Sequence, residues 1–167
     1  MLIIDHTWDG RPALPGEAVT LDLALGEDGL SIVVDAPLHD DPAPEQPPGP
    51  TWALWEHEVV ELFVLGEGER YTEVELGPWG HHLVLRLEGR RNPVDKLLPI
   101  DVTVERSGGR WRASTILPRR LLPPGVLRCN ATAAHGPPEA RRYLSWQALP
   151  GDRPDFHRLE CFVPLLF

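Results

Sequence analysis

Apolar and polar residues alternate with a period of two along much of the chain, a pattern typical of β-strands with one buried face. Thr20–Leu25 alternates in this way, ends in the turn sequence GEDG and is followed by Leu30–Ala36, so the two segments predict a hairpin. We find no window of eleven or more residues that keeps a helical period, and Pro118–Pro124 has room for at most one helical turn. The pattern therefore predicts an all-β protein.

Several further segments have the same strand character. They are Glu58–Leu65, Tyr71–Leu76, His81–Leu87, Ile100–Arg106, Trp111–Leu117, Leu127–Ala134, Tyr143–Gln147 and Glu160–Val163. Eight to ten short strands, separated by turn signals every ~8–12 residues, indicate an antiparallel β-sandwich of jelly-roll type. No long linker divides the 167 residues, so we expect one sandwich domain over residues 1–167.

The central hairpin concentrates polar side chains in its strands. A four-residue loop at Gly77–Gly80 places Glu75 opposite His82 and Tyr71 opposite Arg86, with all four side chains on one face. The expected polar stripe on this face consists of Tyr71, Glu73, Glu75, His82 and Arg86. The opposite face is mostly apolar and is expected to face the core.

Glu61 lies within the apolar run EVVELFVL, and its position depends on the length of the next loop. A five-residue loop at Gly66–Arg70 places Glu61 opposite Glu75, together with Phe63 on the polar stripe. A four-residue loop turns Glu61 into the core, where an unpaired carboxylate costs several kcal/mol or takes up a proton. That cost favours the five-residue loop or a bulge.

The tryptophans divide between core and surface. Trp111 alternates with small residues and is expected in the core. The segment His39–Pro50 contains five prolines and predicts an extended loop that leads to Trp52 and Trp55. Trp79, at a hairpin tip, and Trp55 are candidates for an apolar binding platform, and the alternative for both is packing.

Composition limits the classes of partner. The formal net charge of −9 disfavours nucleic acid, which requires a cationic surface. We see no signal peptide and no apolar run long enough to cross a membrane, so a cytoplasmic protein without membrane contact is expected. Cys129 and Cys161 lack a paired spacing and are expected to be free thiols.

Catalytic motifs are missing from the sequence. It contains no Gly-x-Ser-x-Gly elbow, His-Glu-x-x-His motif or phosphate-binding loop, so no catalytic residue and no cofactor is predicted. The clustered carboxylates offer oxygen ligands of the kind that Ca²⁺ or Mg²⁺ prefers, which leaves Ca²⁺ as an option. A solvated sheet face with cross-strand ion pairs explains the same residues without a ligand.

Two stretches carry a family resemblance. The first is LWEHEVVELFVLGEGERYTEVELGPWGHHL, and the second contains Pro154, Asp155, Phe156, His157, Glu160 and Phe162. They resemble an uncharacterised family of small single-domain proteins and, more distantly, DOMON-like domains and carbohydrate-binding module family 9. The resemblance implies a β-sandwich and sugar binding. In those modules two tryptophans hold the sugar and calcium is structural.

We therefore predict a non-catalytic domain that binds a small molecule, a carbohydrate or similar polyol, on its polar sheet face. The candidate ligand-binding residues are Trp55, Glu61, Tyr71, Glu73, Glu75, Trp79, His82 and Arg86. One alternative is an enzyme that uses the carboxylates and His82, with or without a divalent metal. Another is a protein-interaction domain.

Overall fold

The structure is a computed structural model that describes residues 1–166 and contains twelve strands within them. In chain order they are β1 (Leu2–Ile4), β2 (Val19–Leu25), β3 (Gly29–Pro37), β4 (Val59–Leu65), β5 (Arg70–Leu76), β6 (His82–Glu88), β7 (Pro93–Asp95), β8 (Val102–Ser107), β9 (Arg110–Pro118), β10 (Arg128–His135), β11 (Arg142–Ser145) and β12 (Val163–Pro164). Five single-turn 3₁₀ helices occupy Leu54–Glu56, Glu67–Glu69, Arg119–Leu121, Pro138–Ala140 and Leu159–Cys161. Among these residues no helix has the length and hydropathy needed to cross a membrane.

The strands form two sheets whose strand pairs are all antiparallel. The smaller sheet has the order β1-β2-β3-β9-β8. The larger has the order β11-β10-β4-β5-β6-β7, with β12 also paired to β10. Buried residues of both sheets, including Ile32 and Trp111 from one and Leu62 and Val74 from the other, form a shared core. The predicted all-β sandwich and the core position of Trp111 are confirmed.

The outer face of the larger sheet is buried as well. A second apolar cluster contains Phe63, Leu85 and Leu87 from the strands, together with Leu54 and Phe162 from segments that cross this face. Strand β4 is consequently buried at every position, which explains its nearly continuous apolar sequence. The polar side chains of this face therefore lie beneath covering segments and not in open solvent.

The register of the central strands decides which side chains share that face. Glu61 pairs with Glu75 and Phe63 pairs with Glu73, as the five-residue loop at Gly66–Arg70 predicts. The predicted pairing of β5 with β6 is wrong by one residue, because Leu76 pairs with His82. The turn includes His81, whose carbonyl accepts a hydrogen bond from the Gly77 N–H at 3.0 Å.

This shift moves two predicted residues to the opposite face. Glu75 lies opposite Leu83, so His82 and Arg86 share their face with Val84 in the core between the sheets. His82 is buried there, while the exposed Arg86 reaches Asp95 on β7 at 3.2 Å. Neither residue belongs to the carboxylate face.

Candidate functional site

A cavity of about 480 Å³ lies over the outer face of the larger sheet. Strands β4, β5, β6 and β10 form its base, and the segments that follow the proline-rich loop and precede β12 form its walls. The lining residues are Trp52, Trp55, Glu61, Glu73, Leu85, Leu87, Arg91, Pro93, Ala134, Tyr143, Pro154, Phe156 and His157. This combination of apolar walls with a few polar groups is typical of a small-molecule site.

Three carboxyl groups lie together at the base of the cavity. Glu61 and Glu73 line it, while Glu75 is fully buried beside them. One carboxylate oxygen from each residue lies within 4.8 Å of the others. The alternation of β5 places Glu73 and Glu75 on one face, and the pairing with β4 brings Glu61 next to them.

Burial changes the protonation of these groups. It raises the pKa of the Glu61 carboxyl to about 8, and the charge of Glu73 acts in the same direction. Burial also raises the pKa of Glu73 to about 7. Glu75 has a pKa well above its ordinary value because of burial and the charges of Glu61 and Glu73. In the absence of a cation, burial and mutual repulsion therefore favour the protonated forms of these carboxyls.

The Thr132 hydroxyl belongs to the same cluster. Thr132 on β10 pairs directly with Glu61, so the two side chains lie on one face. The hydroxyl opposes the rise in the pKa of Glu61, yet its oxygen is buried without a hydrogen bond of acceptable geometry.

A tyrosine and a histidine form a defined pair at one wall. The Tyr71 hydroxyl accepts a hydrogen bond from the Arg91 backbone N–H at 3.0 Å. Its own proton is therefore directed to His157 Nδ1, 2.8 Å away. Burial lowers the pKa of His157 to about 4, and the Arg91 charge acts in the same direction, so the ring is neutral at pH 7. Nδ1 accepts, and Nε2 carries the ring proton.

Aromatic side chains form the remaining walls in two edge-to-face pairs. The rings of Trp52 and Trp55 are 5.1 Å apart at 81°. Those of Tyr143 and Phe156 are 6.0 Å apart at 70°. Trp52 is 46% exposed and Trp55 37% exposed, so both present ring surface to a ligand.

The structure brings together only part of the predicted site. Glu61, Glu73 and Trp55 line the cavity, and Glu75 and Tyr71 lie directly behind its surface. His82 and Arg86 lie on the other face of the sheet, as described above. Trp79 is also outside the cavity, because its ring packs against Arg106 of the smaller sheet at 4.0 Å.

Sequence reasoning missed several lining residues. These are Trp52, Arg91, Tyr143, Phe156 and His157. Phe156 and His157 belong to the second family stretch, which was the available signal for them. Tyr143 and Arg91 carry no local signal, because only the tertiary fold brings them to β4.

Comparison with known proteins identifies the family, although no family model matches this sequence. The UPF0462 protein C4orf33 homologue of Mus musculus is 42% identical over 173 residues, covering 98% of this chain and 90% of the relative. The human UPF0462 protein C4orf33 is also 42% identical, covering 98% and 86%. The chain belongs to the UPF0462 family. The zebrafish member, from Danio rerio, is 42% identical over 95% of this chain and 85% of its own.

The fold also has a solved counterpart. A crystal structure from Bacteroides uniformis, described as a "putative carbohydrate-binding protein", has a TM-score of 0.75 over 97% of this chain and 83% of that chain. The two sequences are 19% identical, so the similarity shows the fold alone. This UPF0462 protein therefore shares the β-sandwich fold of that crystal structure.

Proposed function

We propose that the cavity binds a carbohydrate or a similar polyol. The observation that carries the proposal is the pairing of exposed tryptophan rings with a carboxyl-containing base inside one cavity. Sugar rings present C–H surfaces that pack on aromatic rings and hydroxyl groups that hydrogen-bond to carboxyl oxygens. A fold shared with the Bacteroides protein supports this choice of ligand class.

Each part of the cavity has a role in this proposal. Trp52 and Trp55 supply the apolar platform, and Glu61 and Glu73 exchange hydrogen bonds with ligand hydroxyls. His157 donates from Nε2, since Nδ1 already accepts from Tyr71. Arg91 is neutralised by Asp155 at 2.6 Å, which leaves the wall without strong net charge and suits an uncharged ligand.

The test is a glycan array followed by calorimetric titration of the best sugars. We expect Trp55→Ala to weaken binding about tenfold, which corresponds to about 1.4 kcal/mol. Glu73→Gln should weaken it by a similar factor, because a buried hydrogen bond is lost or reversed. Trp79→Ala is the matched control, since this tryptophan lies outside the cavity, and it should leave affinity unchanged. Flat responses to every sugar at millimolar concentration contradict the proposal.

A second candidate is an enzyme in which these carboxyls act as acid and base. A pKa of about 7 at Glu73, in a cavity that also contains Glu61 and His157, suits proton transfer at neutral pH. His82, named in the predicted enzyme, lies on the other face of the sheet from these carboxyls and has no part in this candidate. Turnover is followed by NMR in the same sugar titrations, with Glu73→Gln as the inactive comparison.

A further inference from the structure

The three glutamates at the base of the cavity lack an ion-pair partner among the residues that the structure describes. Glu61, Glu73 and Glu75 are only 4%, 3% and 0% exposed. Within the described residues, both oxygens of Glu75 and one oxygen of Glu73 are buried without a hydrogen-bond partner. Buried carboxylates in that state are costly, so the cluster needs either protons or a cation.

The nearby cationic side chains are engaged elsewhere. Arg141 donates to the carbonyl oxygens of Gly136, Trp55 and His57. Arg91 pairs with Asp155 at 2.6 Å. Over residues 1–166, the ion pairs within 4.0 Å include none to Glu61, Glu73 or Glu75. Arg141 and Arg91 therefore act on Glu61 and Glu73 only from a distance, and neither forms an ion pair with the cluster.

A neutral group gives an independent indication of a missing partner. The Thr132 side chain is fully buried and its oxygen has no hydrogen-bond partner in the described part of the chain. It lies on the same face as Glu61, directly across the strand pair. A hydroxyl does not suffer charge repulsion, so its buried oxygen, which lacks a hydrogen bond of acceptable geometry, is a further unsatisfied oxygen on this face.

The three carboxylate oxygens lie close enough together to contact a single ion. Three carboxylate oxygens lie within 4.8 Å of one another. Oxygens on opposite sides of a Ca²⁺ ion, each ~2.3–2.6 Å away, are separated by about 5 Å, whereas around Mg²⁺ the separation is about 4.2 Å. Because 4.8 Å is an upper limit on each separation, the spacing alone allows either ion. Mg²⁺ is usually bound through one or two carboxylates and keeps several waters, so a site with three carboxylates and a hydroxyl favours Ca²⁺. All four donors are oxygens, which hard cations prefer.

We propose that Glu61, Glu73, Glu75 and Thr132 form a binding site for a hard divalent cation, Ca²⁺ in particular, at the base of the cavity. Glu75 and Thr132 anchor the ion from beneath, and Glu61 and Glu73 hold it at the cavity surface. Water completes the coordination on the cavity side. The inference does not depend on the identity of the cavity's organic ligand. Its competitor is a proton shared between Glu73 and Glu75, which lie close enough to exchange one.

The test is titration of the chelator-stripped full chain with CaCl₂ at pH 8, measured by calorimetry and thermal unfolding. We expect one ion per chain and a rise of at least about 4 °C in melting temperature at saturation. Glu75→Gln keeps the shape but removes the charge, and it should abolish the rise. Glu88→Gln, an exposed glutamate at the end of β6, is the matched control and should retain it.

A second variant tests the same site if Glu75→Gln does not fold. Thr132→Val preserves the shape and net charge of the protein, and it should weaken Ca²⁺ binding about tenfold. MgCl₂ and ZnCl₂ are titrated in parallel, and Ca²⁺ should bind more tightly than either. Wild-type protein that is unaffected by 10 mM CaCl₂ overturns the proposal in favour of the shared proton. A Glu75→Gln variant that responds as wild type does also overturns it, because the ion then binds elsewhere. Trp55→Ala leaves the four proposed cation ligands unchanged, so its effect on sugar binding tests the proposed function without altering the cation site.

Discussion

His157 is kept uncharged by its position between the cavity wall and Tyr71. Its ring packs edge-to-face on Phe63, with 5.4 Å between ring centres. The Tyr71 hydroxyl occupies Nδ1, and burial lowers the pKa of the ring to about 4. The hydrogen bond fixes the tautomer, while burial fixes the protonation state. At neutral pH His157 therefore carries its ring proton on Nε2, at the wall of the cavity.

This environment predicts an acid-dependent loss of stability. In the unfolded chain His157 binds a proton below its ordinary pKa of 6.5, whereas the folded protein does so only near 4. Between these values the unfolded state binds more protons, so the free energy of unfolding decreases as pH falls from 6.5 to 4. The shifted pKa of His157 should lower the free energy of unfolding by about 1–3 kcal/mol over this range, allowing for partial exposure of the ring.

Urea unfolding of the chelator-stripped protein at several pH values measures the contribution of His157 to the free energy of unfolding. The slope between pH 6.5 and 4 should be reduced in His157→Gln and retained in His6→Gln, whose histidine is exposed and does not line the cavity. Equal slopes in wild type and His157→Gln would show that the ring titrates normally in the folded protein.

The two central hairpins differ in how far the sequence determines their register. The pairing of β4 with β5 could be predicted because the alternative register buries Glu61 in the core at a high cost. No such penalty distinguished the registers of β5 and β6, where a shift places either His81 or His82 opposite Leu76. The length of the turn then determines the register of β5 and β6, and the positions of Gly77 and Gly80 do not by themselves specify that length.

Gly80 connects this turn to the proline-rich loop. Its φ of +86° is a left-handed conformation, and a Cβ at this position would lie 3.2 Å from Pro48 Cβ. Gly80→Ala should therefore cost both backbone strain and loop packing, about 2–3 kcal/mol in the free energy of unfolding.

Gly89→Ala is a matched control for Gly80→Ala. Gly89 has nearly the same φ, +84°, but open space where the Cβ would be placed. It should cost about 1–2 kcal/mol from strain alone. Urea unfolding of both variants isolates the Pro48 contact as the difference between them. If the two substitutions cost the same, the turn does not pack tightly on the loop.

At the scale of the whole molecule, the cavity results from covering the outer face of a sheet with irregular segments. Alternating patterns predicted the strands and the sandwich because they reflect burial along each strand. The segments that carry Trp52 and Phe156 have no such period, and they contact β4 only through long-range packing. The acids at the base could therefore be predicted from the sequence, whereas most of the walls could not.

Asp155 holds one covering segment in place without lining the cavity. It accepts hydrogen bonds from the Arg91 side chain at 2.6 Å and from the His157 backbone N–H at 3.2 Å, and Arg158 lies 3.1 Å away. The Asp155 side chain is only 19% exposed. Glu160, in the same segment, is 52% exposed and pairs with Arg90. Removing one partner of a partly buried ion pair costs more than removing one of an exposed pair, because the other charge is left uncompensated.

Asp155→Asn should consequently loosen the wall that contains Phe156 and His157. We expect it to cost about 1–2 kcal/mol of stability and to increase amide hydrogen exchange over residues 154–162. Glu160→Gln breaks a solvent-screened pair in the same segment and should change stability by less than about 1 kcal/mol, with exchange unaffected. Hydrogen-exchange mass spectrometry of both variants measures the difference. If Asp155→Asn shows the same protection as wild type, apolar packing around Phe162 holds the segment by itself. The Arg91–Asp155 pair then does not stabilise it.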